Sequence, residues 1–331
     1  MTTQVMAAAL ATLLLAFDPV SLLTPGVRLS PSEQRALEHG ETIAKTLPSR
    51  PGEVAVVAVS RIDATGETLI EHTRAIESLK RSGFVTAIRR FSNPPVLSDL
   101  DGLVLSPRDV DAVLNCRIGS CSFKLTADEI MLLATHQADS GLDPRERAQR
   151  AFRAVVMARV TTYLGGGLRA VPPIVNRGSP FSLDRIFGSL AAASPALPGD
   201  PSTTDWLNER AVPDAIESFL YWSQETYGTG KPVVAVTHVG LVPPLERNDT
   251  AMVLGKQVFA SRYLTGGLAL TAVSSDPATG DRYLVYVNRT GVDLLGGFLG
   301  PFKRAVIESK LKREVPVIVE KLRRRLERQT R

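Results

Sequence analysis

His238 stands inside an apolar run, PVVAVTHVGLV. An imidazole in such a run either orients a ligand's hydroxyl or carboxylate, or sits in the core with its hydrogen bonds satisfied. Arg262, Tyr263, Tyr286, Asn288 and Arg289 fall at the ends of extended runs close to the start of the last helix. There they would rim a pocket with polar anchors, or act as surface residues that bury only their stems. His238, Arg262, Tyr263, Tyr286 and Asn288 are the expected ligand-binding set. No catalytic signature accompanies them: the chain has no G-x-S-x-G elbow, no H-E-x-x-H, no Walker loop and no dinucleotide fingerprint. Glu38-His39 and Glu71-His72 are adjacent pairs whose side chains turn apart on a helix, and Gly165 to Gly167 follow a helix instead of opening one. Binding is therefore favoured over catalysis, with no cofactor and no metal expected. The alternatives are an enzyme using His238 on an apolar substrate, and an interaction scaffold that docks a partner through Trp206 and Trp222.

Cys116 and Cys121 are the two cysteines of the chain, and the four residues between them include Gly119. A local disulfide closing a small loop fits that spacing, a pair of reduced thiols is the alternative, and a zinc site lacks the further ligands it needs. A disulfide would place the protein in an oxidising compartment. Residues 5–17 (VMAAALATLLLAF) agree with that, because the apolar run has the length and position of a secretory h-region. Against it, no Lys or Arg precedes the run and no small-x-small cleavage site follows it. Residues 1–25 are expected to be a signal peptide or N-terminal anchor, and the protein to be exported to the periplasm or cell envelope.

Of 331 residues 44% are apolar, 22% charged and 6% aromatic, which excludes disorder and disulfide-dense miniproteins. The net charge of +5 is unevenly held: residues 303–331 carry eleven Lys and Arg against four Glu, leaving the rest of the chain slightly acidic. Lys321, Arg323, Arg324, Arg325 and Arg328 surround Leu322 and Leu326, a composition suited to peripheral contact with an anionic membrane, or to a solvated helix end. The tail has no interleaved aromatics, so nucleic acid is not an expected partner.

The elements that must position these residues follow from periodicity. Residues 42–47 and 53–62 flank the turn PSRPG and read as a hairpin; a helix capped by Thr65 runs on to Gly83; 84–91 is a strand. Residues 96–227 read as mainly helical, with a Thr126–Glu129 capping box, an Asp143-Pro144 start to a long helix that the glycine triplet ends, and further helices from Ser182 and Thr204. Four extended runs, 233–242, 252–261, 263–274 and 282–288, form a meander, and a long amphipathic helix with Pro316 inside it closes the chain. The run at 233–242 is apolar on both faces, which calls for a cavity or a covering insertion, or simply a solid core.

That order resembles the START-like (helix-grip, SRPBCC) superfamily, and in particular exported bacterial members without an assigned activity. The resemblance is carried by KTLPSRPGEVAVVAVSRIDATGETLIEHTRAIESLKRSG, which looks like the opening hairpin and helix, and by KPVVAVTHVGLVPP, AMVLGKQVFASRYLTGGLALTAVSS and DRYLVYVNRTGVDLLGGFLGPFKRAVIESKLKREV, which look like the closing half. It implies an α+β fold in which an antiparallel sheet wraps a long C-terminal helix around a cavity. Residues 40–92 and 231–331 would form the domain and 93–230 a large, mainly helical insertion, bigger than the family normally carries. The implied function is binding or carriage of a lipid-like or other apolar small molecule.

Overall fold

The computed structural model describes residues 18–137, 141–175, 179–194, 206, 216–226, 230–244, 249–295 and 300–328. The β-branched run EVAVVAVSR pairs with the segment before it as β1 (Ile43–Thr46) and β2 (Glu53–Arg61), across a turn in which Gly52 takes a left-handed φ of 80°. Thr65 accepts a hydrogen bond from Thr68 N and opens α2 (Gly66–Arg74). The helix breaks at Ala75 instead of continuing to Gly83, so a separate α3 (Ile76–Lys80) precedes β3 (Val85–Arg90). Ser106 caps α4 (Pro107–Leu114). Thr126 and Glu129 exchange the expected reciprocal bonds, 2.9 and 3.2 Å, at the head of α5 (Ala127–Gln137). Asp143 caps α6 (Pro144–Ala170), in which Gly166 and Gly167 leave the helical conformation before one more turn. Ser182 caps α7 (Leu183–Ala192), as its sequence suggests. The helix expected from Thr204 falls almost wholly outside the described residues.

Residues 217–225 depart from the expected helix. ESFLYWSQE puts Leu220, Trp222 and Gln224 on one side and Phe219, Tyr221 and Ser223 on the other, a period of two, and forms β4 (Glu217–Glu225). The expected meander follows as β5 (Val233–Val242), β6 (Ala251–Ala260), β7 (Leu264–Ser275) and β8 (Arg282–Val292). All eight strands join one antiparallel sheet in the order β1-β2-β8-β7-β6-β5-β4-β3. The last helix, α8 (Gly300–Glu327), contains Pro316.

The α+β architecture is as expected, but the helix-grip arrangement is not, and with it the START-like assignment and the lipid-binding fold are overturned. The sheet is flat and open, and it does not curl around α8. The physical reason lies on the opposite face. Val57, Trp222, Val236, Leu254, Leu270 and Val285 present a continuous apolar surface there; α6 and α7 cover it through Phe152, Val155, Val156, Leu183 and Phe187, and α4 and α5 pack on α6. A helix layer spread across the whole sheet holds it open. On the other face α8 lies along β1 and β2, with Val315, Val319 and Leu326 packed against Val56, Ala58 and Leu284. There α2 and α3 pack through Ile70 and Ile76 onto Phe219, Val239, Leu241 and Ala251. Of the expected leader, residues 1–17 lie outside the described residues, whereas Val20 and Leu23 are packed in the core and Asp18 accepts bonds from Val20 N and Leu29 N.

Buried ion pairs tie the layers together. Arg159 of α6 grips Glu129 of α5 in a bidentate pair at 2.6 and 2.7 Å, and its other amine reaches Val258 O of β6 at 3.5 Å. Arg289 on β8 pairs with Glu53 on β2 at 2.7 Å. At the sheet margins β1 has only four residues, and the Arg90 N–H of β3 donates to the Glu77 carboxylate at 2.9 Å. Removing one member of a buried pair strands the other, so Arg159→Ala should lower the stability to urea unfolding by about 3 to 5 kcal/mol. The double variant Arg159→Met with Glu129→Gln should recover part of that loss.

Candidate functional site

The expected ligand-binding set divides between the two faces of the sheet. His238 of β5 points into the helical block, where its Nδ1 lies 2.8 Å from the Tyr163 hydroxyl and its ring tilts against Trp206 at 5.3 Å. Directly across the register is Lys256 of β6, whose Nζ donates to Trp206 O at 2.9 Å and lies over the Trp206 and Phe187 rings. His238 is 4% exposed and Lys256 2%. Burial, reinforced by the Lys256 charge, pushes the His238 pKa from 6.5 to about 3, so the imidazole is neutral near pH 7. This cluster anchors Trp206 over Gly240, where an added Cβ would stand 3.1 Å from the indole. It is sealed from solvent, which is the core reading of His238.

Arg262 is also structural: it pairs with Asp109 of α4 at 2.7 Å and lies over the Phe123 ring. Tyr263 occupies the tight β6–β7 turn with φ 64°, and its hydroxyl accepts from Lys231 N at 3.3 Å. Trp206 and Trp222 are each 1% exposed, so neither is presented to a partner. Cys116 and Cys121 form the expected disulfide beside α4. Among the C-terminal cations, Arg323 sits between Glu320 and Glu327, Arg324 pairs with Glu320, and Arg325 reaches the Leu79 and Arg81 carbonyls, while Lys321 and Arg328 face solvent. Glu320 is held down to about 2 by hydrogen bonding to Arg323, assisted by Arg324.

Tyr286 and Asn288 lie on the other face, where the central strands carry an open strip. Thr237, Gly255, Gln257, Ala269, Thr271, Tyr286, Asn288 and Thr290 belong to four interior strands, yet all are half-buried instead of sealed. Four adjacent strands make a floor about 14 Å across. Along one side of it, on β8, Thr290 Oγ1 donates to Asn288 Oδ1 at 2.7 Å, and Asn288 in turn bonds to Tyr286. Burial raises the Tyr286 pKa, against a smaller opposing pull from the Lys80 ammonium of α3. On β6, the Gln257 Oε1 is shielded from water and accepts no hydrogen bond. Within electrostatic reach of Tyr286, Lys80 donates to the Tyr221 hydroxyl at 2.9 Å and pairs with Glu225, to which Ser223 also donates. The strip residues of β5 to β8 include no ionised side chain.

Two further hollows are less suited to a ligand. One, near Phe181, Leu183 and Phe259, has about 10 Å³, room for a single water. The other has about 310 Å³ at the end of β2 and α8, but its charged lining is self-paired, Arg61 with Asp281 and Arg323 with Glu327. The strip residues Thr237, Gln257, Thr271 and Thr290 were missed in the sequence, although β7 signals them: Leu268, Leu270 and Ala272 alternate with Gly267, Ala269 and Thr271.

The buried imidazole gives a pH prediction. The unfolded chain binds a proton at His238 below about pH 6.5, and the folded chain does so only near its depressed value of about 3. Stability from this site is therefore intact above the unfolded value and falls as the pH drops from about 6.5 toward 3. His238→Gln should flatten that part of the stability–pH curve, and the wild-type His238 ring resonances should not titrate between about pH 5 and 8. Comparison with known proteins finds no protein-family model that matches the chain and no match among curated proteins.

Proposed function

We propose that this is an exported binding protein whose ligand is an uncharged, polyhydroxylated molecule of glycan type, lying flat across the open strip of the central sheet. The observation that carries the proposal is the strip itself: interior strands whose other face is sealed by helices expose hydroxyls and amides here, with small residues between them. Gly255 and Ala269 leave the pleated backbone accessible, so a flat ligand meets a flat floor. Thr237, Gln257, Thr271, Asn288 and Thr290 offer donors and acceptors with no net charge, which suits hydroxyl groups better than phosphates or acyl chains. Export is supported by the Cys116–Cys121 disulfide. Among the described residues no helix is long and apolar enough to cross a membrane.

The test is titration of the full chain with neutral oligosaccharides (cellohexaose, maltohexaose and chitohexaose), followed by the side-chain amide resonances of Gln257 and Asn288. At least one oligosaccharide should shift both, and Gln257→Ala with Asn288→Ala should weaken that binding about ten-fold, the worth of two hydrogen bonds, with an unchanged far-ultraviolet circular dichroism spectrum showing that the fold is kept. No shift with any of the three overturns the glycan reading. Lipid co-purifying with the native chain, detected by mass spectrometry of an organic extract, would instead favour the apolar ligand that the sequence suggests.

A further inference from the structure

We infer that the outward side of α8 docks the protein on an anionic lipid surface, a property independent of the ligand proposed above. The helix has two distinct sides. Leu311, Val315, Val319, Leu322 and Leu326 pack inward against β1, β2 and their neighbours. Phe302, Val306 and Val317 recur at helical spacing on the outward side and are 71%, 54% and 52% exposed, with Ile318 at its flank 49% exposed. Scattered exposed apolar residues need no explanation, but these share one helix face with Lys303, Arg313, Lys321 and Arg328. Those four cations make no ion pair among the described residues. Arg323 and Arg325, by contrast, are turned inward to Glu320, Glu327 and the carbonyls of α3 and the residue after it. The docking face therefore runs the length of the 28-residue helix and is not confined to its C-terminal cluster.

Charge complementarity selects the occupant. Unpaired cations match an anionic surface, and large apolar side chains among them match the shallow acyl boundary beneath lipid headgroups. Those apolar side chains would have no role against a nucleic-acid backbone or another soluble polyanion, which cations alone can hold. A helix already fixed to the sheet presents this face without a folding step on binding.

The experiment is flotation of the full chain with phosphatidylcholine vesicles prepared with and without phosphatidylglycerol. The chain should float only with the phosphatidylglycerol vesicles, and less as salt is added. Lys303→Glu with Arg313→Glu, and separately Phe302→Ser with Val306→Ser, should each weaken binding at least about ten-fold. All four side chains are exposed, so unchanged melting temperatures would show that the fold is kept. Parental binding by both variants overturns the proposal and leaves any flotation to another segment, such as residues 5–17. Equal binding to both vesicle types, or no binding to either, overturns it too. Loss of binding in the charge variant alone, with heparin competing, overturns it in favour of a polyanion site.

Discussion

The apolar side of the sheet beneath α4 to α7 governs the rest of the molecule. Side chains such as Trp222, Val236, Leu254, Leu270 and Val285 are each worth roughly 1.5 to 3 kcal/mol when removed from water. They extend from β2 to β4, so no single helix can cover them. α6 and α7 laid on them, with α4 and α5 stacked against α6, can, and a block of that width packs best on a sheet that does not close. Once the sheet is flat, a helix on the opposite face meets only the strands it lies along. α8 takes β1 and β2, α3 takes β3, α2 lies over one end of β6 and β7, and the rest of the middle stays open.

Polar groups buried in the block act as connectors more than as chemistry. The Arg159–Glu129 pair locks α5 to α6, and the Arg262–Asp109 pair joins the β6–β7 turn to α4 across 153 positions of chain. Their net contribution to stability is small, because desolvation offsets attraction, but a misplaced helix would leave a charge stranded. His238, Tyr163 and Lys256 follow the same logic around Trp206: they are satisfied inside the core, and water is kept from them. The groups open to a partner are the uncharged ones on the opposite face and the cations along α8.

Much of the local structure was legible. The Thr126–Glu129 box, the Asp143 cap, the hairpin before Ile62 and the four-strand meander all rest on interactions between residues near in sequence, and such signals survive in the chain. The curvature of the sheet was not legible, because it depends on what lies on the far face, and nothing local to β5 distinguishes a covering layer from a cavity. Residues 217–225 were hidden for a related reason: Trp222 and Tyr221 fit an amphipathic helix as well as a strand until β5 is there to pair with them. His238 was expected in the ligand-binding set with the core as its alternative, and the partner that holds it in the core, the Tyr163 hydroxyl, lies on a helix 75 positions away. For Tyr286 and Asn288 the expected grouping with His238 fails because β6 and β7 separate their strands, and even positions on β5 and β8 fall on opposite faces of the sheet.

The margins of the sheet bear on how these molecules tolerate crowding. An open antiparallel sheet offers two rows of unpaired backbone groups to any passing strand, and adding a strand there is the first step toward fibrils. Here one row is only four residues long, and on the other the outward amide of Arg90 is already held by the Glu77 carboxylate, beside the positive charge of Arg89. A strand arriving at β3 would have to displace a charged hydrogen bond before forming its own. The protein can thus keep a broad, flat sheet without recruiting copies of itself edge to edge.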